Sequence, residues 1–326
     1  MKTLKTFYLL TLSTLLSLAA CSKDEGSDTP QPRTIEQTEY TLDAIDNRST
    51  TLSFTASAAW TLSVTGEDSD WLTVTPASGT AGEQTVELSA TRNYRTSART
   101  AYADLACGEQ SVRLTVTQAA ASDDTDFTTL FDPDFAKELQ KQGIIADAEN
   151  ITPEDMEKIA TMTELDVSGT YENPGTLTSL QGIEYFESLT QLSCYYNQLT
   201  TLDISANTAL TELYCYGNQL TSLDVSANMA LTWLSCSYNS LETLDISKNT
   251  ALTWLDCSSN SLTTLDVSAN TALTWLSCEN NPGDRESKFP ITAWFDNDTK
   301  PDNLEIYQGQ WTYDGKTITI DFRKAE

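Results

Sequence analysis

LTQLSCYYNQL (189–199), LTELYCYGNQL (210–220), LTWLSCSYNSL (231–241), LTWLDCSSNSL (252–262) and LTWLSCENN (273–281) are one pattern written five times. The copies begin at Leu189, Leu210, Leu231, Leu252 and Leu273, a strict spacing of twenty-one residues. LTTLDISANTA, LTSLDVSANMA, LETLDISKNTA and LTTLDVSANTA run between them. A fixed period in the twenties marks a solenoid of stacked coils. Leu192 and Cys194 lie two residues apart, so they share one face of a short strand. A single coil cannot bury that face, and stacked neighbours must bury it as a continuous column. Cys194, Cys215, Cys236, Cys257 and Cys278 are therefore expected to be inward-facing, reduced thiols that serve as small hydrophobes. In-register side chains point alike, which disfavours disulfides between coils. A soft-metal site is the other use such a row could have. Asn197, Asn218, Asn239, Asn260 and Asn281 should form a ladder that satisfies backbone groups where the chain turns inward.

The pattern L-x-x-L-x-L-x-x-N-x-L, with cysteine in the third apolar slot, resembles the leucine-rich repeats of bacterial surface proteins, internalins included. The resemblance implies a parallel sheet whose concave face carries the variable slots. Those slots read Gln191, Glu212, Trp233, Trp254 and Trp275, then Ser193, Tyr214, Ser235, Asp256 and Ser277. Two further positions give Tyr195, Tyr216, Ser237, Ser258 and Glu279, and Tyr196, Gly217, Tyr238, Ser259 and Asn280. Strands ~4.8 Å apart would set the three tryptophans in a row with tyrosines beside them. Exposed aromatics at that density mark an interaction surface, although duplication of one ancestral repeat would also copy a tryptophan. The candidate ligand-binding residues are Trp233, Trp254, Trp275, Tyr214, Tyr216, Tyr195, Tyr238, Glu212 and Asp256.

Composition removes several function classes. The 326 residues hold 19 basic and 47 acidic side chains, a net charge of −28, and no histidine. The acidic balance argues against nucleic acid. The lack of histidine excludes Ser-His-Asp and Cys-His catalysis and the common zinc sites. An enzyme would have to use carboxylates. Asp256 and Glu279, on adjacent coils, would stand roughly 8 Å apart, within the range of inverting glycosidases. A shallow concave face implies no pocket for them. Asp203, Asp224, Asp245 and Asp266 form another periodic set in D-[IV]-S-x-N, where Asp and Ser favour turn hydrogen bonds. A column of cations is the alternative there.

Ahead of the repeats the chain changes character several times. Residues 1–20 have Lys2 and Lys5 before an apolar core from Phe7 to Leu18, too short to span a membrane, and read as a signal peptide. LSLAAC resembles a bacterial lipobox, which implies cleavage before Cys21 and its acylation; an ordinary secretory signal is the alternative. Residues 21–35 form a polar tether, and Ser22-Lys23-Asp24-Glu25 resembles the export signal of Bacteroidetes surface lipoproteins. Residues 36–119 alternate Thr, Val and Leu in short runs, the pattern of a β-sandwich. Trp60, Trp71-Leu72, Pro76, Ser78-Gly79, Asn93, Arg99 and Val116-Thr117-Gln118 resemble the BACON domain, an immunoglobulin-like module of Bacteroidetes proteins. That family's name proposes carbohydrate binding. Trp60 and Trp71 are assigned here to the core, and the domain to a spacer.

Residues 120–126 are an acidic linker, and 127–161 a helical cap. Asp132-Pro133 and Thr152-Pro153-Glu154-Asp155 open its two helices. Asp147, Glu149 and Asp155 lack the spacing and glycine of a calcium loop. Repeats occupy 162–281, with six extra residues in the first coil near Tyr171 to Thr176. Residues 282–326 form a β-rich C-terminal cap with a hairpin at Asp314-Gly315.

The expected fold is therefore multidomain: an N-terminal all-β immunoglobulin-like sandwich, then a leucine-rich-repeat solenoid of 21-residue repeats with a helical N-terminal cap. The expected function is that of a non-catalytic, monomeric lipoprotein of the outer membrane, held by Cys21, with no cofactor and no metal. It would bind a protein partner through the aromatic concave face. A glycan, mucin or polysaccharide, is the alternative ligand, and a glycosidase the remotest reading.

Overall fold

The computed structural model describes residues 32–325, apart from 34, 36, 67–68, 109 and 123–125. The signal peptide, Cys21 and the export signal lie outside the described residues.

Two sheets make the N-terminal sandwich. One orders Pro32–Arg33, Ser49–Ala56, Gly82–Ala90 and Leu72–Thr75; the other orders Glu39–Leu42, Gln110–Gln118, Arg99–Cys107, Trp60–Thr65 and Ser78–Gly79. Alternation in the strands turns Leu52, Phe54, Leu62, Val86, Leu88, Leu105, Leu114 and Val116 inward. Trp60 and Trp71 are core residues, 2% and 3% exposed. A Cβ on Gly79 would lie 2.6 Å from the Trp60 indole nitrogen, so that strand approaches the ring only as glycine. Gln118 Nε2 donates to the carbonyls of Asp43, Ala44 and Thr91, while its Oε1 accepts from Arg99 Nε at 2.8 Å. Arg99 also covers Trp71, 4.8 Å from the ring centre. Pro32–Arg33 pairs with Ser49–Ala56, so the sandwich takes in the last residues of what reads as tether.

The cap helices are Pro133–Lys141 and Pro153–Thr161. Asp132 accepts from Asp134 N and Phe135 N, and Thr152 with Asp155 closes a capping box. Their buried face, Phe135, Leu139, Met156 and Ile159, covers the open end of the repeat core. The sandwich contacts both this cap and the first coil. Tyr94 is buried edge-on against Phe127, and its hydroxyl donates to Glu187 at 3.4 Å. Arg92 stands 3.8 Å from Glu187 and lies over the Tyr185 ring, and Arg95 reaches Glu157 at 3.6 Å.

The repeats build one parallel sheet of seven strands: Glu164–Asp166, Gln191–Ser193, Glu212–Tyr214, Trp233–Ser235, Trp254–Asp256, Trp275–Ser277 and Glu305–Tyr307. The seventh strand comes from the C-terminal segment and extends the sheet beyond the last repeat. The rest of that segment pairs Lys288–Ala293 with Lys316–Lys324, which folds back on Gln310–Tyr313 through Asp314-Gly315. Trp311 donates its indole N–H to the Asn281 carbonyl at 2.9 Å and so closes the last coil.

Two asparagine columns hold the coils together. Asn218 Nδ2 donates to the carbonyls of Cys194 and Cys215, and its Oδ1 accepts from Leu199 N, all at 3.0 Å. Asn197, Asn239, Asn260 and Asn281 repeat this geometry. A second column, Asn207, Asn228, Asn249 and Asn270, is fully buried on the other side of the core. Each donates to two carbonyls of the preceding coil, as Asn228 does to Ile204 and Asn207, and keeps a buried Oδ1 with no partner. Asp203, Asp224, Asp245 and Asp266 accept from the backbone N–H two residues on, the turn role their motif implies. The five repeat cysteines are free and fully buried, and burial pushes the Cys194 thiol up to about 12.

Asn218→Ala orphans the Leu199 N–H and strips one bond each from the Cys194 and Cys215 carbonyls. It should cost about 3 kcal/mol by urea unfolding with an unchanged denaturant slope, and Asp224→Ala much less. In a thiol-labelling time course the five repeat cysteines should react only as fast as the protein unfolds, and all should react in guanidinium. Rapid native labelling of several would refute the inward column.

Candidate functional site

The outward slots of the seven strands form the candidate site. Strict register places Glu212, Trp233, Trp254, Trp275 and Glu305 in one row across the sheet. The indoles of Trp233 and Trp254 stack at 4.0 Å and 9°, and those of Trp254 and Trp275 at 4.3 Å and 1°. These distances fall below the strand spacing of ~4.8 Å. Each ring shields its neighbour, and all three are half-buried. Tyr214 leans on Trp233 at 6.2 Å and Tyr307 on Trp275 at 6.1 Å, ending the stack on both sides. The Tyr214 hydroxyl donates to Glu212 at 2.8 Å. Burial and then that carboxylate push its pKa up to about 12.

A second aromatic group stands where the chain leaves the strands. Tyr195 and Tyr216 stack at 4.5 Å and 6°. Tyr196 packs edge-on against Tyr216 at 5.2 Å and against Tyr171 at 6.0 Å. Tyr171 lies on the inserted loop of the first coil and is 81% exposed. Tyr196, Gly217, Tyr238, Ser259 and Asn280 all have left-handed backbone, with φ from 49° to 66°. At Gly217 an added Cβ would lie 2.5 Å from the Tyr196 ring, so the ring occupies the space that glycine leaves. Tyr238 stands apart from both groups, 61% exposed.

The second row of slots differs from expectation. Ser193, Ser235 and Ser277 are buried, because small side chains sink between large neighbours. Asp256 accepts from Ser258 N at 3.0 Å and from Ser258 Oγ at 2.7 Å. Glu279 is buried and accepts from Ser277 Oγ. Burial, with Asp256 adding to it, pushes the Glu279 carboxyl above the usual carboxylate range. Tyr307 was missed by the sequence reading. Its signal was Glu305-Ile306-Tyr307, which repeats the x-[LI]-x of the strands but falls thirty residues after Trp275.

Two stretches of the chain match known families. Residues 32–121 match the viral BACON domain family and residues 187–228 the leucine-rich repeat (two copies) family. Among solved structures, the functional domain of InlJ from Listeria monocytogenes, which includes a cysteine ladder, is 38% identical with a TM-score of 0.43. That match covers 52% of this chain and 38% of the InlJ chain, so the chain spans well under half of that relative. The internalins inlF and inlC2 from the same organism are 19% and 18% identical, each with a TM-score of 0.36. They cover 52% and 60% of this chain, and 65% and 96% of their own lengths. No curated protein sequence matches the chain.

Glu279 yields a pH test. Its native pKa lies above the unfolded value, so its charge penalty is absent below the unfolded carboxylate pKa and grows as pH rises through the native one. Glu279→Gln keeps a Ser277 partner without the charge. The variant should melt higher than wild type at neutral pH, with the gap closing on acidification; a constant gap would reject a buried charge.

Proposed function

We propose that this protein is a non-catalytic, lipid-anchored lipoprotein of the outer-membrane surface that binds a protein partner as a monomer, without a cofactor. The contact surface is the aromatic concave face of the repeats. The observation that carries this reading is the stack of Trp233, Trp254 and Trp275. Its rings spend their inner faces on one another, and tilted tyrosines lean on the two end rings. A sugar ring lies on an open aromatic plane, whereas a half-buried aromatic ridge with a polar surround is the anatomy of a protein interface. The leucine-rich-repeat family match supports a binding module. The serine hydrogen bonds to Asp256 and Glu279 support a structural rather than a catalytic use of those carboxylates.

The anchor rests on LSLAAC and Cys21 followed by a polar tether. No helix among the described residues is long and apolar enough to cross a membrane. The glycan reading keeps one observation in its favour: Tyr171 and Tyr238 are largely exposed and outside the stack.

Trp233→Ala, Trp254→Ala and Trp275→Ala should each weaken partner binding by about 2 kcal/mol while costing the fold about 1 kcal/mol. A surface-protein pull-down beside a glycan array, with the triple variant as control, measures this. An oligosaccharide whose binding vanishes in the triple variant would replace the protein partner with a glycan. Cys21→Ala should abolish acyl labelling and release the protein from membranes; surviving label would remove the anchor.

A further inference from the structure

The charge pattern around the tryptophan ridge identifies the chemistry of the partner. We infer that the concave face takes a basic polypeptide surface, with an apolar centre on the ridge and lysine or arginine side chains on either side of it. This rests on the concave-face reading above and adds the partner's charge to it.

The first row of slots runs Glu164, Gln191, Glu212, Trp233, Trp254, Trp275, Glu305. The second runs Asp166, Ser193, Tyr214, Ser235, Asp256, Ser277, Tyr307. These positions hold five carboxylates and no lysine or arginine. The deficit extends through the whole solenoid. From Met162 to Asn281, thirteen acidic residues face a single basic one, Lys248, which sits in an exposed convex turn. Elsewhere the protein does pair its charges: Lys137 with Asp134, Lys141 with Glu138, Arg113 with Asp104. Among the described residues, none of the five concave carboxylates is in an ion pair.

Position sharpens the inference. Glu212 and Glu305 bracket the tryptophans in the same register, four strand intervals apart, roughly 19 Å. The apolar ridge between them spans about 10 Å. An apolar centre with a charged rim is the layout of a specific interface, and here the rim is acidic. The Glu212 carboxylate is held by Tyr214 and that of Asp256 by Ser258, which orients both as acceptors. Both faces of Trp254 and the inner faces of Trp233 and Trp275 are covered by stacking, and Tyr214 and Tyr307 lean on the two end rings, so the carboxylates are the main groups left to meet an incoming cation. Unpaired charge of one sign also accelerates encounter with the opposite sign and makes binding sensitive to salt.

The test pans a phage-displayed library of random peptides against the immobilised full chain. Three backgrounds are compared: wild type, Glu212→Gln/Asp256→Asn/Glu305→Gln, and the sandwich control Glu39→Gln/Glu83→Gln/Glu87→Gln, which changes charge equally. Circular dichroism verifies that each is folded. Enriched peptides should place Lys or Arg on both sides of an apolar centre. Their affinity should fall about tenfold or more in the concave variant and with added salt, and less than about twofold in the sandwich control. Neutral or acidic peptides would overturn the inference, as would equal losses in both charge variants, which mean non-specific attraction. Binders lost in Trp233→Ala/Trp254→Ala/Trp275→Ala but kept in the concave charge variant would overturn the basic partner while leaving the concave-face reading standing. Binders indifferent to both, or no binder at all, would count against both.

Discussion

Every coil of this solenoid must turn inward at two corners, and each corner carries backbone N–H and C=O groups into a dry core. An unpaired buried amide costs on the order of 1–3 kcal/mol, so such corners cannot be left to chance. Both are solved with asparagine, the one short side chain that offers two donors and an acceptor. Asn218 ties its own coil and the preceding one through three bonds. Asn228 does the same work across the core, at the expense of a carbonyl oxygen left unpaired. The leucine and cysteine columns pack as they do because these two ladders fix the spacing and rotation of each coil.

The same register that aligns the asparagines aligns the surface. Tryptophans in identical slots of adjacent strands have no choice but to meet, and they meet face to face. An aromatic ridge is therefore a by-product of strict repetition, and what gives it an address is the deviation from repetition at its ends. Glu212 and Tyr214 replace the Trp-x-Ser or Trp-x-Asp of later coils on one side; Glu305 and Tyr307 do so on the other. The sandwich meets the helical cap through Tyr94 and Arg95 and the first coil through Tyr94 and Arg92.

Much of this was legible because the repeat is exact. Five copies of L-x-x-L-x-C-x-x-N specify the strands, the thiol column and one asparagine ladder without ambiguity. Asn207, Asn228, Asn249 and Asn270 keep the same period, yet D-[IV]-S-x-N also reads as a plain turn, and only burial distinguishes the two roles. The left-handed column was not read from the sequence: Gly217 is its one glycine, and tyrosine, serine and asparagine fill its other positions. The seventh strand was hidden because the chain leaves the solenoid after Asn281 and builds Lys288–Ala293 of the C-terminal cap before returning. Burial of the second-row serines was illegible for another reason: it depends on the bulk of neighbours in other coils.

A ladder built from identical rungs can be lengthened without redesign. Deleting or duplicating one twenty-one-residue unit preserves every asparagine bond, every leucine contact and both caps, because each coil contacts only its neighbours. Where the unit is one of the three that carry tryptophan, it would change the separation of Glu212 and Glu305 by one strand spacing, ~4.8 Å, and add or remove one ring of the ridge. The footprint of the proposed binding face is thus quantised, and recombination between near-identical repeats would change it in whole steps while the fold stays fixed.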